Sequence, residues 1–487
     1  MKNVLITHSY FLNFDQKQRK QQQPYPPLGT LIACAILRKE KFNVYFHDVM
    51  FDENTNNIES KIKTLSPDIF VIYDDGFNFL TKMCLSNMRE AAFEMIKIAK
   101  ENNCIVIVCS SDSTDRYGIY LENGANYIII GEGEITLNEL LKSLNKSGKD
   151  LKNIEGIIRI ESNTIVHHPK RHVLRELDTL PFAAWDLLDI SPYRKAWIQS
   201  KGYFSLNMYT TRGCPYHCNW CAKPIYGNRY NARSPQKVVE ELLELQTRFN
   251  FDHIWFCDDI FGLKPGWVEE FVDEIKKTNL VFRFKIQSRV DLLLSENNVK
   301  ALADAGCEEV WLGAESGSQK ILDAMEKGTK IEQIEAASLE LKKQGVKPCF
   351  FIQFGYPGEN AEDIHSTIKM VLKLMPHDIG VSISYPLPGT KFYESVRDQL
   401  KEKSNWTDSD ELLLMFKNTY QPLFYKELQR YLHRQFRSAQ SKQTFYQLLN
   451  REKRINYSTL KKIVSYGIHQ PAAKIAYSKL RALEPSF

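Results

Sequence analysis

Two patterns of apolar and polar positions run along this chain, one in each half, and a third stretch has neither. In the first, short apolar runs alternate with amphipathic helical ones. Val4-Leu5-Ile6, Val44-Tyr45-Phe46, Asp68 to Tyr73, Ile105 to Cys109 and Tyr127 to Ile130 read as strands. Leu28 to Arg38, after a proline-rich loop, and Glu134 to Leu144 read as helices. This order predicts an α/β fold with an N-terminal doubly wound parallel sheet, whose ligands sit beyond the carboxyl ends of the strands. A connector follows, over residues 151–200, with a Leu-Pro-Phe-Ala-Ala-Trp-Asp turn at Leu180 to Asp186.

The alternation restarts at Tyr203. Strand-like runs fall at Ser205–Tyr209, His253–Phe256, Phe282–Gln287, Glu309–Leu312, Cys349–Phe354 and Gly380–Ser384. Helical stripes separate them, at Pro235–Arg248, Trp267–Lys277, Asn297–Ala305, Ile331–Gln344 and Ala361–Lys373. Six such units predict a partial (β/α)6 barrel over residues 201–400, with its site at the carboxyl ends of the strands. From about Lys401 the strand signal stops. Residues 401–487 read as a basic, aromatic, helical region (Tyr420, Phe424, Tyr425, Tyr431, Phe436, Phe445, Tyr446). It is expected to cap the barrel, its basic face solvated or set against an anionic substrate or membrane surface.

Composition narrows this little. At 487 residues the chain suits two or three domains, here 1–150, 201–400 and 401–487 joined by the connector. A formal charge of +5 gives no reason to expect a nucleic-acid partner. The first residues lack a signal-peptide pattern, and no apolar run approaches the roughly 20 residues of a membrane span, so a cytoplasmic location and no transmembrane segment are expected.

Cysteine changes the picture. Seven of the ten (Cys34, Cys84, Cys104, Cys109, Cys257, Cys307, Cys349) are scattered through apolar runs and are expected in the core. The other three, Cys214, Cys218 and Cys221, form a C-x3-C-x2-C loop directly after the first barrel strand. Three thiolates can bind three irons of a [4Fe–4S] cubane and leave the fourth iron open to a ligand. Zinc is the alternative, but its ligands usually come in pairs and no second pair follows.

Thr210-Thr211-Arg212-Gly213-Cys214-Pro215-Tyr216-His217-Cys218-Asn219-Trp220-Cys221, ahead of the remaining barrel units, resembles the signature of the radical S-adenosylmethionine (SAM) superfamily. Trp255 to Phe261, Leu312 to Ser318, Gly355 to Glu359 and Tyr385 to Thr390 extend the likeness. Upstream, Pro26 to Gly29, Gly131 to Glu134 and the Leu-Pro-Phe turn are similar to the class with an N-terminal cobalamin-binding domain. That class includes many C-methylases and the anaerobic magnesium-protoporphyrin monomethyl ester cyclase.

The resemblance implies an enzyme that reductively cleaves SAM to a 5′-deoxyadenosyl radical and functionalises an unactivated carbon. Cobalamin-dependent C-methylation is the first reading. Cobalamin-free or cyclase-like chemistry (ring formation, oxidation or carbon–carbon coupling) is the second, and a non-catalytic iron–sulfur or corrinoid protein a third. It also implies an external one-electron donor, such as flavodoxin or ferredoxin, and a small-molecule substrate, partly apolar or anionic. For SAM it points to Asp258 and Asp259 after the second barrel strand, Arg289 after the third, Glu315 and Ser316 after the fourth, and Gln353 and Gly355 at the fifth. Pro357 and Gly358 add backbone that adenosine can approach. Arg233 and Lys223 are expected to be structural or solvated.

For cobalamin the candidates are Tyr10, Tyr73, Ser110 and Gly131. The sequence lacks D-x-H-x-x-G, so cobalt is expected without a His ligand, and His47 is expected to be a satisfied surface residue. Tyr73-Asp74-Asp75-Gly76 and Cys109-Ser110-Ser111-Asp112 stand where the class has small residues. Their side chains are expected to crowd a buried nucleotide tail and to turn carboxylates toward its phosphate. A sheet whose pocket serves substrate is the alternative.

Overall fold

The first part of the chain forms seven strands, the first five from the early apolar runs: β1 (Asn3–Thr7), β2 (Asn43–Phe46), β3 (Ile69–Tyr73), β4 (Ile105–Cys109), β5 (Tyr127–Ile129), β6 (Ile157–Glu161) and β7 (Thr164–His167). In the computed structural model, which describes residues 2–146, 151–221, 226–295, 297–400, 403–451, 454–485 and 487, their order is β2-β1-β3-β4-β5-β6-β7. Pairing is parallel as far as β5. Alternate residues of each strand enter different cores. Val4, Ile6, Val71 and Ile107 pack on one face of the sheet, and Leu5, Phe70, Ile72 and Val106 on the other. Burial on both faces is why the runs are apolar throughout instead of alternating.

Part of the expected connector belongs to this sheet. β6 and β7 extend it antiparallel, joined by Ser162 and Asn163, both in the left-handed region (φ 46° and 63°).

The second half supplies β8 (Ser205–Met208), β9 (Thr211–Arg212), β10 (Asn231–Ala232), β11 (His253–Phe256), β12 (Arg283–Ser288), β13 (Cys307–Glu315), β14 (Lys347–Phe354) and β15 (Asp378–Ile383). Six of them form a sheet of order β15-β14-β13-β12-β11-β8, the half-barrel expected from the six repeats. β9 and β10 form a separate antiparallel ribbon. The strand β13 runs further than its apolar core suggests, through Gly313 and Ala314 to Glu315, with a register shift against β14 at Gly313/Glu315.

Contacts divide the chain into two units. One holds Met1–Tyr216, Ala222–Ile286 and Asn405–Glu411; the other holds His217–Cys221, Gln287–Ser404 and Leu412–Phe487. In the second unit the helix Pro422–Leu449 buries Phe424, Leu428, Leu432 and Phe436, while the helix Tyr466–Leu483 buries Ala473, Ala476 and Leu480. Among the described residues no helix is long and apolar enough to cross a membrane.

Candidate functional site: the cysteine hairpin and the strand ends

The cysteine loop begins on the β9–β10 ribbon. Gly213, one residue before Cys214, has φ +82°, and a Cβ there would collide with the carbonyl oxygen of Arg229, two residues before β10. Only glycine lets the two sides close this tightly. Arg212 is buried beneath the turn, with Nη1 2.5 Å from Glu132 Oε1 and Nη2 2.8 Å from Glu134 Oε1. Rings of Phe77, Tyr209 and Tyr226 surround its guanidinium. Burial raises the Glu132 pKa, and the Arg212 charge opposes the rise. This network ties the start of the loop to the turn after β5, where Gly131 takes φ +74°.

Asp258, just after β11, faces the same segment. Its carboxylate accepts hydrogen bonds from the backbone N–H of Thr210 (2.6 Å) and Thr211 (2.9 Å) and from Thr210 Oγ1. Burial pushes its pKa up to about 7 despite those donors. Asp259 pairs with Lys82 Nζ at 2.9 Å. Arg233 is structural, as expected: it is buried and paired with Glu241 at 2.6 Å. Lys223 lies outside the described residues.

The second unit carries Cys218 and Cys221 and gathers four charged side chains, Arg289, Asp291, Lys327 and Glu315, in a chain of contacts that starts at Cys218. Arg289 Nη1 lies 4.0 Å from Cys218 Sγ and donates to the Lys327 carbonyl oxygen at 3.1 Å. Its Nε and Nη2 donate to Asp291 at 3.0 Å. Lys327 Nζ donates to Glu315 Oε1 at 3.0 Å, and its ammonium stands 5.8 Å from the Trp220 ring centre. Burial alone would lower the Lys327 pKa; the Glu315 carboxylate and Cys218 thiolate outweigh it and raise the value. Glu315 holds φ +58°, an uncommon conformation for a residue with a Cβ. A side chain at Gly313 would fall 2.5 Å from Lys327 Nζ and 2.7 Å from Glu315 Oε1.

The remaining candidates in this unit are hydrogen-bonded within it. Ser316 Oγ accepts from the Ser318 N–H and meets Thr367 Oγ1 at 3.1 Å. Gln353 Nε2 donates to Ser384 Oγ at 3.0 Å. Gly355 has φ +79°, and a Cβ added there would meet Leu414 and Tyr425. Its N–H donates to Glu359 Oε2 and its carbonyl accepts from Asn418 Nδ2. Next to Gly358 the space is open.

At the carboxyl ends of the first sheet the expected carboxylate crowding does not arise. Asp74 accepts from the Ser9 N–H and hydroxyl, Asp75 from the Gly29 and Phe77 N–H groups, and Asp112 from Arg89 Nε and Nη2 and from the Tyr120 hydroxyl. Each acid is spent on a protein donor. Tyr10, Asp74, Arg89, Asp112 and Tyr120 line a small cavity, and the buried Tyr10 hydroxyl has no hydrogen-bond partner among the described residues. The other candidates are dispersed. Tyr73 is packed in the core beside Cys109 and Gly133, Ser110 caps the following helix by a reciprocal bond with Ser113, and Gly131 belongs to the turn described above. His8, at the end of β1, has Nε2 on Asp48 at 2.8 Å and Nδ1 accepting from the Tyr10 N–H. His47 is satisfied by Asp52 at 2.7 Å but is half-buried, not on the open surface.

Residues 208–371 match the family model of the radical SAM superfamily. The chain carries a radical SAM domain. A methyltransferase of Pyrococcus horikoshii, named as uncharacterised, is 29% identical over 78% of this chain and 81% of its own. The anaerobic magnesium-protoporphyrin IX monomethyl ester cyclase of Rubrivivax gelatinosus is 25% identical over 77% of this chain and 67% of its own. The solved structure of OxsB, a cobalamin-dependent SAM radical enzyme with aqua-cobalamin and SAM bound, covers 99% of this chain and 72% of its own at TM-score 0.74 and 18% identity, a likeness of fold.

A radical SAM domain implies a [4Fe–4S] cluster, SAM, a reductant and a small-molecule substrate, and the thiols fit the cluster. Cys214 and Cys218 are half-buried and Cys221 is exposed, whereas the other seven cysteines are buried. Among the described residues no three His, Cys, Asp or Glu side chains converge on a single ion position. A cubane asks for no such convergence, since each thiolate takes a different iron. Sequence reasoning missed Lys327. It lies in a Glu-Lys-Gly-Thr turn instead of at a strand end, and the one signal was the glycine after it.

Proposed function

We propose that this radical SAM enzyme cleaves SAM at a cluster held by Cys214, Cys218 and Cys221 and methylates an unactivated carbon of a small molecule with the help of cobalamin. The observation that carries the SAM reading is the buried Glu315–Lys327 pair beside Arg289 and Cys218. Glu315 accepts hydrogen bonds from the SAM amino group, and Lys327 and Arg289 supply the positive charge that its carboxylate needs. Gly313 keeps that space clear of a side chain. Asp258 acts at one remove by fixing Thr210 and Thr211, Asp259 with Lys82 borders the same turn, and Ser316 and Gln353 hold the strand ends in register. Gly355 supports the loop that leads to the open backbone at Gly358. When bound, the cluster supplies the electron that breaks a C–S bond of SAM.

Methylation rests on the methyltransferase relative and on the first sheet. Asp112 is paired with Arg89, Asp74 and Asp75 accept hydrogen bonds from Ser9, Gly29 and Phe77, and the unpartnered Tyr10 hydroxyl offers a hydrogen bond to a polar ligand. No step here needs a His on cobalt, and His8 has both ring nitrogens engaged. The cyclase relative supports a second reading, radical chemistry without methyl transfer. Anaerobically purified protein is incubated with SAM, reductant and cobalamin, and the products are counted. Both S-adenosylhomocysteine and 5′-deoxyadenosine, with a corrinoid absorption band retained by the protein, support methylation. 5′-Deoxyadenosine alone, with no corrinoid band, supports the second reading.

A further inference from the structure

The C-terminal helices of the second unit turn an apolar stripe outward. Tyr457, Leu460, Val464, Ile468 and Ile475 stand at spacings of 3, 4, 4 and 7, which return to the same side of a helix at 3.6 residues per turn. The trace allows this, because the helix Tyr457–Val464 passes into Tyr466–Leu483 through Ser465, itself in the right-handed helical region. The opposite side is the one that packs, through Thr459, Ala473, Ala476 and Leu480. The stripe is left outside: Tyr457 is 81% exposed, Val464 72% and Ile468 64%. Ile455, just before the first helix, is exposed with them. Monomeric proteins seldom leave a contiguous apolar row open to water.

Charge decides what covers it. From Arg451 to Leu483 the sequence holds eight Lys and Arg and one acid, Glu452, a net +7 within a chain whose whole charge is +5. Lys461 and Lys479 flank the stripe on one edge. A second copy placed on this face by a two-fold axis would set the two basic segments against each other, so self-association is opposed. The row is made of aliphatic side chains with one tyrosine at its start, and the cations stand on the same segment. Apolar ridge, basic flanks and tyrosine are what a helix needs to lie in the headgroup boundary of an anionic bilayer.

We propose that the segment 455–479 docks the protein on an anionic lipid surface, with Val464 and Ile468 entering the acyl boundary and Lys461 and Lys479 meeting headgroups. The chain lies on the membrane and does not span it. The inference is independent of the reaction the enzyme performs.

The test is flotation of the full chain with vesicles of phosphatidylcholine alone and of phosphatidylcholine with about one third phosphatidylglycerol. Wild-type protein is expected to float with the anionic vesicles, less so as salt rises. Val464→Glu with Ile468→Glu, and separately Lys461→Glu with Lys479→Glu, are each expected to weaken binding about tenfold. Both variants are expected to keep wild-type iron content and SAM cleavage without vesicles, so a failure of the catalytic reading shows separately. No flotation by wild-type protein would overturn the proposal, as would equal flotation by the Val464/Ile468 variant. Stripe-dependent dimerisation, or stripe-dependent capture of an acidic electron-transfer protein with no affinity for vesicles, would overturn it too.

Discussion

Lys327 Nζ donates to Glu315 Oε1 at 3.0 Å, and both side chains are buried. A buried pair of this kind brings a large desolvation penalty and a small net gain, so its persistence points to use more than to stability. Removing one partner exposes the penalty. Lys327→Met is expected to lose about 3–5 kcal/mol of stability at neutral pH and to abolish SAM binding. Glu315→Gln in the same chain is expected to recover most of the stability and none of the binding. Urea unfolding and equilibrium dialysis with SAM separate the two effects. A Lys327→Met protein that binds SAM as the wild type does would remove Lys327 from the site.

Gly213→Ala is expected to cost the cluster. Its Cβ would collide with the Arg229 carbonyl, and φ +82° is strained for alanine, so the ribbon carrying Cys214 must open. Gly118, with nothing within 4 Å of its added Cβ, is the control. Iron content after anaerobic reconstitution is expected to fall severalfold in the first variant and to match wild type in Gly118→Ala. Equal iron in both would show that the hairpin tolerates the opening.

The strands β1, β3 and β4 were legible because they are buried on both faces and so are runs of apolar residues, whereas β12 and β15 were legible from the alternation of buried and half-buried positions. The β6–β7 hairpin was not. Its pattern is only half apolar, and its turn is Ser162-Asn163 instead of a glycine-bearing pair. The cysteine triad was readable from spacing, since seven other cysteines sit in apolar runs and these three do not. The carboxylate partners were not readable: Ser9 for Asp74, Gly29 for Asp75 and Arg89 for Asp112 come from distant stretches. The sequence therefore left these carboxylates without the partners that hold them. Lys327 was missed because its position depends on how a turn folds back along β13.

Glu359 gives the fold a pH dependence of known sign. Burial raises its pKa from the ordinary 4.5 to about 8, against the Gly355 N–H bond to its Oε2. The folded state therefore holds a proton that the unfolded state has released. The contribution is full below about pH 4.5 and is lost progressively up to about pH 8, at no more than about 1.4 kcal/mol per pH unit. Glu359→Gln is expected to remove that slope. Unfolding midpoints of both proteins across this window check it, and parallel curves would contradict the burial argument.

The central claim is that three thiols of one loop hold a cluster that cleaves SAM. Its most direct measurement is 5′-deoxyadenosine formed by anaerobically reconstituted protein given SAM and a reductant, beside Cys214→Ala, Cys218→Ala and Cys221→Ala proteins treated alike. The account predicts product from the wild type, with none of the three variants retaining either the cluster's absorption or the reaction. A triple variant that keeps its iron–sulfur cluster, or a wild type with a full cluster that leaves SAM intact, would contradict it.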